Sequence, residues 1–151
     1  MNVVDDHART PLFIASWEGH LDVVKMLNDT GAVVEARYLG AASPLTTVSR
    51  YLVSKGANVD LFCNMDVTPL YPAVYNNNLE MVSFYLDHQA KVNYRDIAGR
   101  SPLYIAVRDG YYEVAKKLIE HGADFRMPHE SAGMNLLHLA ASNGRKDIAA
   151  L

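Results

Sequence analysis

One motif recurs along the chain and fixes how its segments can be arranged: TPLF at Thr10, SPLT at Ser43, TPLY at Thr68 and SPLY at Ser101. The prolines fall at 11, 44, 69 and 102, so the intervals are 33, 25 and 33 residues. A fifth copy, NLLH at Asn135, lacks the proline and places Leu136 34 residues after Pro102. A second marker travels with the first, as TGAVVE, KGANVD, HQAKVN and HGADFR. Two markers in step identify a tandem array, whose units bury their apolar faces only against one another.

Each marker has a local physical reason. A Thr or Ser hydroxyl ahead of proline supplies a helix N-cap, and proline suits the first helical position because its missing N–H is not needed there. A short helix is therefore predicted to start at each proline. Gly19, Asn77, Gly110 and Gly144 follow eight residues after each full-length start, and these types tolerate the left-handed backbone that ends a helix. LDVVKML, LEMVSFYL and YEVAKKLI then carry apolar residues three and four apart, one face of a second helix. Gly31, Gly56 and Gly122 close that helix, whereas Gln89 stands at this position in the third unit and is expected to strain the backbone. Pro72 falls inside the first turn of its helix, where it removes one internal hydrogen bond at modest cost.

The helix-turn-helix unit resembles the ankyrin repeat, with its D-x-x-G-x-T-P-L-H-x-A, G-H and G-A-D-V-N elements. The fourth unit, DIAGRSPLYIAVRDGYYEVAKKLIEHGAD from Asp96, matches nearly throughout, and the likeness covers almost the whole chain. It implies an all-α, ankyrin-type helical repeat solenoid of about five units joined by finger loops. The repeats would span approximately 5–37, 38–62, 63–95, 96–128 and an incomplete 129–151 of a single domain, 1–151. The family's histidine after T-P-L survives only as His138; Phe13, Thr46, Tyr71 and Tyr104 replace it. The bonds this histidine makes between neighbouring family repeats are therefore not expected in those copies.

The second unit is short. Aligning TPLFIASWEGHLDVVKML with SPLTTVSRYL matches VVKML to VSRYL and leaves Ala15 to Asp22, eight residues, without a counterpart. No Gly, Pro, Asn or Asp between Leu45 and Lys55 reverses the chain, and Leu45, Val48 and Leu52 follow one helical face. One continuous helix is predicted there, with the stack weakest at that joint. The final segment, GRKDIAAL, reaches about halfway through a second helix, so the chain reads as part of a longer array.

A chain half hydrophobic and a fifth charged has the balance of a folded domain. Its net charge of −3 and lack of a basic run argue against nucleic acid as a partner. The single cysteine, Cys63, and an N-terminus without signal-peptide character place the chain in the cytoplasm. No apolar run reaches the roughly 20 residues that span a bilayer, so direct membrane insertion is not expected. The six histidines show no metal-ligand spacing, Cys63 has no activating motif beside it, and the glycines sit at helix ends rather than in a phosphate loop. No catalytic residue, cofactor or metal is expected, and the chain is not read as an enzyme.

What remains is surface. In ankyrin-like proteins partners are held by finger-loop tips and by the last residues of each first helix, which here implies a monomeric, non-catalytic protein-binding scaffold. By position, the helix candidates are Trp17 and Glu18, Tyr75 and Asn76, and Arg108 and Asp109. The tip candidates are Arg9, Met65, Ile97 and Arg100. Met65 lies in LFCNMD, an apolar loop that either anchors a ligand chain or fills the gap left by the short unit. The alternative reading is a regulatory or targeting array of a larger enzyme or channel.

Overall fold

The computed structural model describes residues 3–6, 9–32, 45–60, 68–126 and 135–151. Among them the chain forms α1 (Pro11–Trp17), α2 (Leu21–Asp29), α3 (Leu45–Ser54), α4 (Leu70–Tyr75), α5 (Leu79–Asp87), α6 (Pro102–Asp109), α7 (Tyr112–Glu120), α8 (Leu136–Ser142) and α9 (Lys146–Ala149). No strand occurs among the described residues. First helices α4, α6 and α8 stack in one row and second helices α5, α7 and α9 in another, while each first helix packs on its own second helix.

The caps form where the motif predicts them, with one exception. The amide of Phe13 donates to Thr10 Oγ1, that of Tyr104 to Ser101 Oγ and that of His138 to Asn135 Oδ1, each at 3.1 Å. Asn135 thus does for the fifth unit what Thr or Ser does elsewhere. Thr68 does not cap its helix, which begins one residue late, at Leu70. In α1 and α6 the carbonyl of the capping residue accepts from the amide four residues on, Ile14 or Ile105. The matching residue in α4 is Pro72, which has no N–H. The Thr68 carbonyl instead takes the Tyr71 amide at 3.0 Å, so the Thr68 hydroxyl is left buried and without a partner among the described residues.

Every turn position read from the sequence is left-handed, including Asn77 at φ 52° and Gln89 at φ 64°. A side chain in this region costs about 1–2 kcal/mol, partly offset by the greater entropy glycine loses on folding. Gln89→Gly is therefore expected to raise the melting temperature by about 1–3 °C, read by thermal unfolding monitored at 222 nm.

The core runs along the interface between rows. Leu70, Leu103, Ile105 and Leu118 are essentially inaccessible, and burying each contributes about 1.5–3 kcal/mol. The short unit forms one continuous helix, as its sequence predicts, and α3 packs against both α1 and α2. It occupies the second-helix row between α2 and α5. Asn28 Nδ2 donates to Tyr51 Oη at 3.1 Å on one side, and on the other Tyr85 Oη donates to Ser49 Oγ at 3.2 Å while Arg50 pairs with Glu80 at 2.8 Å. Val48 and Ser49 are fully buried, so one helix stands here where the other units have two.

Candidate functional site

The last residues of α4, α6 and α8 line up along the first-helix row, and α1, which packs on α2 and α3, carries the same position at its own end. Glu18 caps α1 through its own amide, which bonds the Ile14 carbonyl. Trp17 ends α1, and its side chain lies outside what is described. Tyr75 ends α4 with 56% of its surface exposed, and Asn76 beside it donates from Nδ2 to the Pro72 carbonyl at 3.0 Å. A large aromatic held open to solvent at a helix end has the residue type and exposure of an interface anchor.

Arg108 and Asp109 follow at the end of α6. Arg108 Nε donates to Asp109 Oδ1 at 2.6 Å and Nη2 to Oδ2 at 2.7 Å, a two-pronged pair between adjacent residues. The hydrogen bonds to Asp109 push the Arg108 pKa further up against its partial burial. The same bonds hold the Asp109 carboxyl below its ordinary value. Both stay charged, so this part of the face offers a fixed dipole with little net charge.

The fifth unit reaches across to this point. Asn143 Nδ2 donates to the Arg108 carbonyl at 3.4 Å and Arg145 Nη2 to the Asp109 carbonyl at 3.5 Å. The Arg145 guanidinium lies directly over Gly110, where a Cβ would sit 2.5 Å from its Cζ.

The finger tips share one construction. The Asp96 carboxylate accepts from the amides of Ala98 and Arg100 at 3.0 and 2.8 Å, and from Arg100 Nε at 2.7 Å. Asp5 takes the Arg9 amide at 2.9 Å and Arg9 Nε at 2.8 Å. Arg9 and Arg100 are thus positioned by carboxylates of their own loops. The closed loop thrusts Ile97 outward, 89% exposed. Met65 lies outside the described residues.

Asp96 also ties two units together. Tyr71, in the histidine position of α4, donates its hydroxyl to Asp96 Oδ2 at 2.7 Å. A link between neighbouring units is therefore made here without histidine. Burial and this bond raise the Tyr71 pKa to about 12, which keeps the hydroxyl a donor. Burial alone would push the Asp96 carboxyl up, but the bonds from Arg100 and Tyr71 outweigh it and hold the pKa below the ordinary value. In the loops after the second helices Asp60 Oδ1 accepts the Lys91 amide and Asn93 Oδ1 the Asp124 amide, both at 2.8 Å. These bonds, together with Tyr71–Asp96, tie successive units to one another. The D-x-x-x-R spacing, present at 5–9 and again at 96–100, is the sequence signal for the tips.

Among the described residues no group of three or more His, Cys, Asp or Glu could hold a metal ion, and no helix is long and apolar enough to cross a membrane.

Three family models match the chain: ankyrin repeat over 7–38, ankyrin repeats (many copies) over 52–103 and ankyrin repeats (3 copies) over 86–151. The chain belongs to the ankyrin-repeat family. Ankyrin repeats mediate protein–protein interaction. Among similar ankyrin-type proteins, protein phosphatase 1 regulatory subunit 27 of Mus musculus is 35% identical over 80 residues, 53% of this chain and 52% of that protein. The probable 26S proteasome regulatory subunit p28 of Saccharomyces cerevisiae is 29% identical over 133 residues, 80% of this chain and 58% of that protein. Leucine-rich repeat serine/threonine-protein kinase 1 of Caenorhabditis elegans is 29% identical over 149 residues, 97% of this chain and 5% of that protein. The chain spans about half the length of the phosphatase and proteasome relatives.

Proposed function

We propose that this ankyrin array is a non-catalytic scaffold inside the cell that holds a partner protein along the ends of its first helices, with the finger tips as a second line of contact. The observation that carries the reading is the row from Tyr75 and Asn76 to Arg108 and Asp109. There, an exposed aromatic and a pre-oriented ion pair stand on rigid helix ends rather than on loops. Side chains already fixed before binding lose little entropy on association. Trp17 and Glu18 hold the equivalent position on α1, and Arg9, Ile97, Arg100 and Met65 belong to the second line. Two relatives bearing the word regulatory in their names support a role in controlling another protein. The kinase relative, of which this chain matches a small part, favours a second reading: a targeting array attached to an enzyme.

Replacing Tyr75 and Arg108 together by Ala is expected to weaken partner capture at least about tenfold while moving the melting temperature by no more than about 2 °C. Lys116→Ala on the opposite row is the control and should leave capture unchanged. Equal loss in both variants, or unfolding of the double variant, would contradict the proposal.

A further inference from the structure

Arg145 stands directly after the turn glycine of the fifth unit, where His20, Asn78 and Tyr111 stand in the first, third and fourth. Asn78 uses that place to cap its own helix, accepting the Met81 amide at 3.1 Å. An arginine cannot do this, because a guanidinium has donors and no acceptor, and the Arg145 side chain makes no cap bond. It turns instead to the preceding unit and lies over Gly110, where the missing Cβ leaves room for it.

Few acceptors meet it there. Both oxygens of the neighbouring Asp109 carboxylate already accept from Arg108, at 2.6 and 2.7 Å. Arg145 is left with the Asp109 carbonyl, which its Nη2 reaches at 3.5 Å, the outer limit of a hydrogen bond. Its Nε is buried and has no acceptor, and the guanidinium forms no ion pair, among the described residues. The residue as a whole is partly exposed, so a partner can reach it. The charges acting on the Asp109 carboxyl are those of Arg108 and Arg145. Two guanidiniums therefore share one carboxylate, and the Arg108–Asp109 dipole gains an uncompensated positive charge at its edge.

A partly desolvated donor without an acceptor is costly until one is supplied. The group that fits is a carboxylate, which takes two parallel N–H donors from one guanidinium and carries a single charge to match the single charge left over. A phosphate fits less well, because its second negative charge would stand unmatched beside Asp109. We propose that Arg145 is a specificity residue of the binding row, selecting a partner segment that places an Asp or Glu side chain over the turn at Gly110. This names the partner's chemistry at one point of the row and rests on the reading of the first-helix ends as the partner surface.

Selection of a random displayed peptide library on the full chain tests it. The selected peptides should carry Asp or Glu at one fixed position. In a fluorescein-labelled peptide of that sequence, changing the acid to its amide should weaken binding at least about tenfold, read by fluorescence anisotropy. Arg145→Gln should weaken the acidic peptide equally and leave the amide peptide unaffected, a coupling that a general loss of stability does not produce. Gly110→Ala keeps the charge but moves the guanidinium; it should weaken the acidic peptide as well, and it serves if Arg145→Gln does not fold. Peptides that bind through Tyr75 and Arg108 without a shared acid, or whose acid is indifferent to both variants, overturn the inference and leave the binding row standing. So does tighter binding when phosphoserine replaces the acid. Peptides indifferent to Tyr75→Ala and to Arg108→Ala, or a selection that yields none, overturn the row itself and the inference with it.

Discussion

Asp96→Ala is expected to destabilise the protein by about 3 kcal/mol, measured as a fall in the urea midpoint at constant slope. The Asp96 side chain is 4% exposed and takes four hydrogen bonds, from Ala98, from the Arg100 amide and guanidinium, and from Tyr71. Its removal leaves the buried Tyr71 hydroxyl without its acceptor and opens the finger loop. The ion pair itself contributes little of this, because the Arg100 side chain is 37% exposed and solvent screens it. Asp5→Ala, in a loop of the same design but with 32% of the carboxylate side chain exposed, should cost about 1 kcal/mol. Because the folded pKa of Asp96 lies below its unfolded value, its contribution is complete above about pH 4 and disappears as pH falls through the folded pKa. The stability gap between wild type and Asp96→Asn should accordingly stay constant from pH 7 to about pH 4 and narrow below it.

Gly110→Ala is expected to cost about 1–2 kcal/mol, somewhat more than the about 1 kcal/mol of Gly122→Ala. Both glycines have positive φ, 79° and 84°. They differ in surroundings: a Cβ at 122 meets nothing within 4 Å, whereas at 110 it would strike Arg145 Cζ, Nε and Nη1 at 2.5–2.8 Å. Arg145 must then leave its place over the turn and its bond to the Asp109 carbonyl. In an Arg145→Ala background the cost of Gly110→Ala should fall to that of Gly122→Ala, a coupling that a double-mutant cycle isolates.

Local features of this fold are legible because their chemistry is short-range. A cap links residues three apart, so Thr10, Ser101 and Asn135 can be read directly. The left-handed turns follow from the spacing of Gly, Asn and one Gln. Thr68 departs from the pattern because its cap depends on a competition for the Tyr71 amide that Pro72 tips. The bonds that hold unit to unit are less accessible: Tyr71 and Asp96 are 25 residues apart, Asn93 and Asp124 31. Glycine 110 reads as a turn residue, and only packing shows that it also makes room for Arg145. For the candidate row, the sequence positions are set by register and the Arg108–Asp109 pair joins adjacent residues, while the exposure of Tyr75 is seen only in the fold.

The central claim is that the first-helix ends are the partner-binding row. Hydrogen exchange on the complex tests it most directly: amides at 75–77, 108–110 and 142–145 should slow on binding, with those of α5 and α7 unchanged. Protection confined to α5 and α7 would place the partner on the opposite row and contradict the account.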